Sequence, residues 1–163
     1  MKTYHLRCEL ITACALEQTF EIFKDPLNLA KITPSWLNFQ VLTTNAQIRK
    51  GAEIEYNIRW LSLPMHWKTI ISDYQPPDCF VDEQAKGPYA LWRHTHTFEA
   101  TAAGTRVGDH VEYALPLGIL GKMAHALIVK KQLEAIFRFR QREIGKLLGG
   151  KTIQVVAPVV TAA

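Results

Sequence analysis

Cysteine is scarce in this chain: Cys8, Cys14 and Cys79 are the only three in 163 residues. An odd number with no CxxC spacing excludes a disulfide framework and a zinc knuckle, and leaves three free thiols of ordinary core character. Long hydrophobic runs are missing too, since no apolar stretch approaches the roughly 20 residues that cross a bilayer. The opening Met1-Lys2-Thr3-Tyr4-His5-Leu6-Arg7-Cys8-Glu9 interleaves charge with apolar residues and lacks the apolar core of a secretory signal, so a cytoplasmic location is expected. There is no phosphate-binding Gly-rich loop, no Gly-x-Ser-x-Gly elbow and no His-Glu-x-x-His, which argues against nucleotide-dependent chemistry and serine hydrolysis on those patterns. Basic and aromatic residues do not interleave on one strand face, so no nucleic-acid partner is expected. Nor is there an internal repeat or a linker. The chain reads as one domain over 1–150 followed by a tail over 151–163.

What is present suits a globular protein: 48% hydrophobic and 21% charged residues. The net charge of +4 is unevenly spread. Residues 118–149 carry Lys122, Lys130, Lys131, Arg138, Arg140, Arg142 and Lys146 against Glu134 and Glu143, a surplus of five that leaves the remainder at −1. Such a basic stretch suits peripheral contact with a membrane or an acidic partner, or is the solvated outer face of an amphipathic helix.

The hydrophobic period changes along the chain. Tyr4 to Ile11 reads as a strand. Leu16, Phe20 and Phe23 recur at i, i+4 and i+7, one face of a short helix that Asp25-Pro26 stops. Residues 26–32 add another helical turn or two. From Gly51 to Leu61, Ile54, Tyr56, Ile58 and Trp60 alternate with Glu53, Glu55, Asn57 and Arg59, as in a half-buried antiparallel strand. Met65 to Tyr74, Cys79 to Ala85, Tyr89 to Glu99 and Thr105 to Leu115 follow as strands separated by turn residues. Beyond Pro116 the period becomes helical from Gly118 to Leu148, and Gly149-Gly150 ends it. The tail is β-branched and small, compatible with a docked strand or a frayed end. The fold class is α+β: a curved antiparallel sheet of about six to seven strands around a long C-terminal helix, with two short helices after the first strand.

That order is the helix-grip arrangement, and particular residues extend the likeness. Asp25-Pro26-Leu27-Asn28-Leu29, Ile32-Thr33-Pro34, Gly51, Trp67-Lys68-Thr69, Phe80-Val81-Asp82-Glu83-Gln84, Gly87-Pro88-Tyr89, Trp92-Arg93-His94-Thr95-His96-Thr97-Phe98, Gly104-Thr105 and Leu115-Pro116-Leu117-Gly118 together resemble the bacterial SRPBCC proteins. That superfamily groups START lipid-transfer domains, birch-pollen-allergen-type carriers and polyketide cyclases. The resemblance covers nearly residues 4–148. It implies a cavity between sheet and helix more firmly than it implies a chemistry, because one fold hosts many functions.

A cavity in such a fold is lined by inward strand residues and the apolar helix face. Tyr56, Ile58, Trp60, Trp67, Trp92, Phe98, Val111 and Tyr113 are expected from the sheet, and Met123, Leu127 and Ile136 from the helix. Phe80, Asp82 and Gln84 share one face of their strand, and that face is taken to point inward. Trp92, His94, His96 and Phe98 share a face, as do Val107, Asp109, Val111 and Tyr113. A four-residue loop, Ala100 to Ala103, would pair Glu99 with Gly104 and set His94 opposite Asp109, within hydrogen-bonding reach. His94, His96 and Asp109 are therefore the catalytic candidates.

Three readings fit them: a satisfied buried network, a polar anchor for an apolar ligand, or an Asp-oriented acid/base histidine. His-x-His beside an Asp also offers three metal ligands, but no fourth is evident, so no metal and no cofactor are expected. The function expected first is binding of a small apolar or amphipathic molecule such as a lipid, isoprenoid or polyketide. The alternatives are a cyclase, dehydratase or hydrolase using the His–Asp pair, and an accessory protein docking through the basic helix. A monomer and a homodimer fit equally.

Overall fold

The computed structural model describes residues 1–60, 63–116, Met123 and 128–163, with Trp60 described by its backbone alone. Strand β1 (Tyr4–Thr12) leads into helices α1 (Leu16–Lys24) and α2 (Pro26–Lys31) and a single turn, Ser35–Leu37. The short β2 (Gln40–Val41), β3 (Glu53–Trp60), β4 (Leu63–Gln75), β5 (Cys79–Lys86), β6 (Leu91–Thr101) and β7 (Gly104–Ala114) follow. Helix α3 (Lys130–Leu147) and a last strand, β8 (Thr152–Ala162), complete the chain. The strands form one antiparallel sheet ordered β2-β3-β4-β5-β6-β7-β1-β8. The part of the expected C-terminal helix before residue 128 lies outside the described residues, apart from Met123. No helix among the described residues is long and apolar enough to cross a membrane.

Asp25 decides the helix pair after β1. Its carboxylate accepts from the Leu27 N–H at 2.9 Å and Pro26 takes the first helical position, where a missing N–H costs nothing. The break turns α2 across the sheet opening while Phe20 and Phe23 stay in the core with Phe80 and Phe98.

The β6–β7 hairpin departs from expectation. The loop is two residues, Ala102-Ala103, and Thr101 pairs with Gly104, so His96 stands opposite Asp109 and His94 opposite Val111. Gly104 makes the tight form accessible: its φ of 132° lies where L side chains rarely go, and a Cβ there would meet the Thr12 and Ala13 backbone. Because the slip is two residues, every side chain keeps its face.

The tail is a docked strand, paired antiparallel with β1. The ladder shifts between Arg7 and Glu9, whose partners are Val159 and Val156. Pro158 sits in the interval and has no N–H to give. Gln141 of α3, 4% exposed, bridges the gap by donating through Nε2 to the carbonyls of Glu9 and Val156, each at 2.9 Å. Gln141→Leu keeps the volume and removes both bonds, so it should lower unfolding stability by about 1–3 kcal/mol in urea titration.

Candidate functional site

Between the sheet and α3 lies a cavity of about 430 Å³. Ile58, Tyr56, Trp67 and Trp92 line it from the sheet, Leu133, Ile136 and Phe137 from α3, and Leu29, Leu37 and Phe39 close one side. Polar tips among these aromatics are turned away. Trp67 Nε1 donates to Thr69 Oγ1 at 3.0 Å, and the Tyr56 hydroxyl lies 3.3 Å from the same oxygen. The Tyr56 and Trp67 rings stack with centroids 5.9 Å apart. Trp67 meets Trp92 edge-on, with centroids 5.3 Å apart.

A smaller cavity of about 110 Å³ adjoins it, sharing Leu29, Tyr56, Trp92 and Arg140. Its wall carries Asp82, His94 and His96, with Phe23 and Phe80 alongside. Both imidazoles are buried, at 3% and 2% exposure, and their rings lie 3.8 Å apart. A carboxylate sits on either side. His94 Nε2 bonds Asp109 Oδ1 at 2.9 Å and His96 Nε2 bonds Asp82 Oδ2 at 3.1 Å. The other nitrogens cross over: His96 Nδ1 is 3.1 Å from Asp109 Oδ1, and His94 Nδ1 is 3.4 Å from Asp82 Oδ2. His96 Nδ1 is buried and makes no aligned hydrogen bond among the described residues. Four side chains from β5, β6 and β7 so form a closed polar ring.

Charge in the ring follows from burial and contact. Burial holds His94 down to about 4, helped by the neighbouring His96 and opposed by the two carboxylates. Burial also works against charge on His96, but its close contacts with Asp109 and Asp82 outweigh it and hold that pKa above the usual range. Burial would raise both aspartates, yet the two histidines keep Asp82 below the ordinary carboxylate value and Asp109 well below it. His94 is the neutral member and both carboxylates are ionised.

Arg140 is the cation at the junction of the two cavities. Its guanidinium lies over the Phe137 ring at 5.5 Å, and its buried Nε has no hydrogen-bond partner among the described residues. Arg140 therefore does not belong to the outer basic face. The exposed Arg138, Arg142 and Lys146 of that face pair with Glu134 or Glu143.

The expected lining residues divide. Tyr56, Ile58, Trp67, Phe80, Asp82, Trp92, His94, His96 and Ile136 reach one cavity or the other. Phe98, Val111 and Tyr113 pack in the core clusters, and Asp109 stands behind the histidines. Gln84 uses its amide on the Tyr89 main chain, donating to the carbonyl at 2.8 Å and accepting from the N–H at 3.2 Å. Met123 is exposed, whereas Leu127 and the Trp60 side chain lie outside the described residues. Sequence reasoning missed α2, Tyr89 and Arg140 as lining. Arg140 did leave a signal: it falls at i+7 from Leu133 and i+3 from Phe137, inside the apolar stripe of α3.

Comparison with known proteins places this geometry in a family. No curated protein matches the chain. Among solved structures, CV1439 from Chromobacterium violaceum superposes with a TM-score of 0.69 at 16% identity, over 88% of this chain and 96% of that one. Protein SA2116 of unknown function from Staphylococcus aureus gives 0.68 at 8% identity, over 91% and 96%. The ginseng major latex-like protein 151 from Panax ginseng gives 0.66 at 12% identity, over 93% and 99%. At such identities the likeness is one of fold. Residues 13–137, most of the chain, match the model for polyketide cyclase / dehydrase and lipid transport, and the chain belongs to that family.

Proposed function

We propose that this protein binds a small amphipathic molecule, its apolar body in the larger cavity and its polar end at Arg140 and the His–Asp ring. The cavity carries the reading. About 430 Å³ of space lined by aromatic and aliphatic faces is within the range that holds a lipid-, isoprenoid- or polyketide-sized ligand. Arg140 lines both cavities and the ring lines the adjoining smaller one, so the polar groups orient a molecule whose remainder is apolar. The family description, which includes lipid transport, agrees with that class.

The direct test is native mass spectrometry of the protein purified from its own host, followed by denaturing extraction of whatever is bound. A co-purifying apolar or amphipathic molecule is expected. Ile136→Trp fills the cavity from the helix side and should weaken its binding about tenfold or more. Unchanged binding in a folded Ile136→Trp protein would place the ligand elsewhere.

A second reading rests on the 2.9 Å contact of His94 with Asp109 beside a cavity that substrate atoms can enter. It makes the ring an acid/base device for a cyclase- or dehydratase-type reaction. A turnover enzyme would leave the host empty, and polyketide-like substrates would then be consumed by the wild type.

A further inference from the structure

The His–Asp ring turns one nitrogen of each imidazole toward Asp82 and the other toward Asp109. His94 Nε2 is engaged with Asp109 Oδ1 at 2.9 Å, which leaves Nδ1 as the ring nitrogen on the Asp82 side. His94 Nδ1 lies 3.4 Å from Asp82 Oδ2. His96 Nε2 faces the same oxygen at 3.1 Å. One donor atom from each of Asp82, His94 and His96 thus converges within 4.8 Å of the other two.

The 3.4 Å and 3.1 Å spacings to Asp82 suit a shared cation. Metal–ligand bonds of about 2.0–2.2 Å place neighbouring donors about 3.0–3.6 Å apart, from octahedral to tetrahedral geometry. Asp109 completes the argument from the far side. Its Oδ1 lies against His94 Nε2 and His96 Nδ1, the ring nitrogens opposite those that face Asp82. A carboxylate taking the far N–H of a ligating histidine is the usual way such a ring is oriented and made more basic. We infer that Asp82, His94 and His96 form a three-ligand site for a divalent transition cation, with Asp109 as its orienting carboxylate and the remaining coordination positions open to the small cavity. Two imidazole nitrogens favour a cation such as Zn²⁺, Co²⁺ or Fe²⁺ over Mg²⁺ or Ca²⁺. Asp82 comes from a different strand and is the ligand that His-x-His spacing could not reveal. The inference is independent of the organic ligand, because metal uptake is read with none present.

A second group, His5, His110 and Glu112, sits on the outer face of β1 and β7 and provides the control. Chelator-treated protein should take up one Co²⁺ per chain, with the visible ligand-field absorption of a low-coordinate site. Asp82→Asn should weaken uptake about 100-fold or more and Asp109→Asn about 10–100-fold, whereas His110→Ala should leave it unchanged. In the wild type, Zn²⁺ should shift the imidazole nitrogen resonances of both His94 and His96. No uptake by folded wild type, uptake that survives Asp82→Asn, or shifts confined to His5 and His110 would each overturn the site. The resonance measurement needs no variant, so a misfolded Asp82→Asn protein does not stall the test.

Discussion

Asp109→Ala should cost the chelator-treated protein about 3–5 kcal/mol, read as a lower urea midpoint at unchanged slope. Asp109 is 6% exposed and touches three buried groups. Its Oδ1 meets both histidines, and its Oδ2 accepts from the Cys8 thiol at 3.8 Å. Burial first, and Asp109 second, keep that thiol protonated. Removing the carboxylate leaves His94 Nε2 without its partner in the core and Asp82 as the remaining acid of the ring against two imidazoles. Asp109→Asn retains the volume and one acceptor, so about 1–3 kcal/mol is expected instead. Equal costs for Ala and Asn would show that charge, not the count of acceptors, holds the ring together. An Ala variant as stable as the wild type would mean that β6 and β7 are held by Phe98, Val107 and Val111 without help from the ring.

The ring also shows how far the sequence carries. Alternation on β6 and β7 puts His94, His96 and Asp109 on one face whatever the hairpin does, as long as any slip is even. That is why the cluster was legible although its pairing was not. The loop length depended on Gly104 meeting the Thr12–Ala13 backbone, a contact across some ninety residues that no local pattern encodes. Asp82 was harder. Strand alternation offers two faces, and only the pairing of Asp82 with His94 across β5 and β6 selects one. Gln84 lies on the same nominal face but next to the Gly87-Pro88 connection, and it ties that connection down instead of lining the cavity.

Helix α3 was legible as an apolar stripe, and its two polar interruptions carry the most structural information. Arg140 and Gln141 are adjacent in sequence and diverge by about 100° around the helix axis. Arg140 points between the cavities, and Gln141 reaches the β1–β8 ladder. Counting charge alone assigned Arg140 to a basic outer face. Asking why a cation should interrupt an apolar stripe assigns it to the cavity side, where its buried Nε has no hydrogen-bond partner among the described residues.

Ending the chain at Gly150 should cost about 5 kcal/mol or more, which removes much of the 5–15 kcal/mol typical of a whole domain. Strand β8 pairs with β1 from Tyr4–Ala162 to Thr12–Thr152, and its Val160 is buried against the second core cluster. Without β8, β1 becomes an unprotected edge, and Gln141 loses one of its two acceptors. The strand also fixes α3 at close range: a Cβ at Gly145 would stand only 2.6 Å from Thr152 Oγ1, so the helix and the start of β8 meet through a bare backbone. Since α3 forms one wall of the larger cavity, its loosening should be visible as binding of an apolar dye before the circular-dichroism melt begins. A truncated chain melting within a few degrees of the full one, with no dye uptake, would reassign the task of holding α3 to Phe137 and Ile144 in the two core clusters. On the physical argument this strand clamps the helix over the cavity.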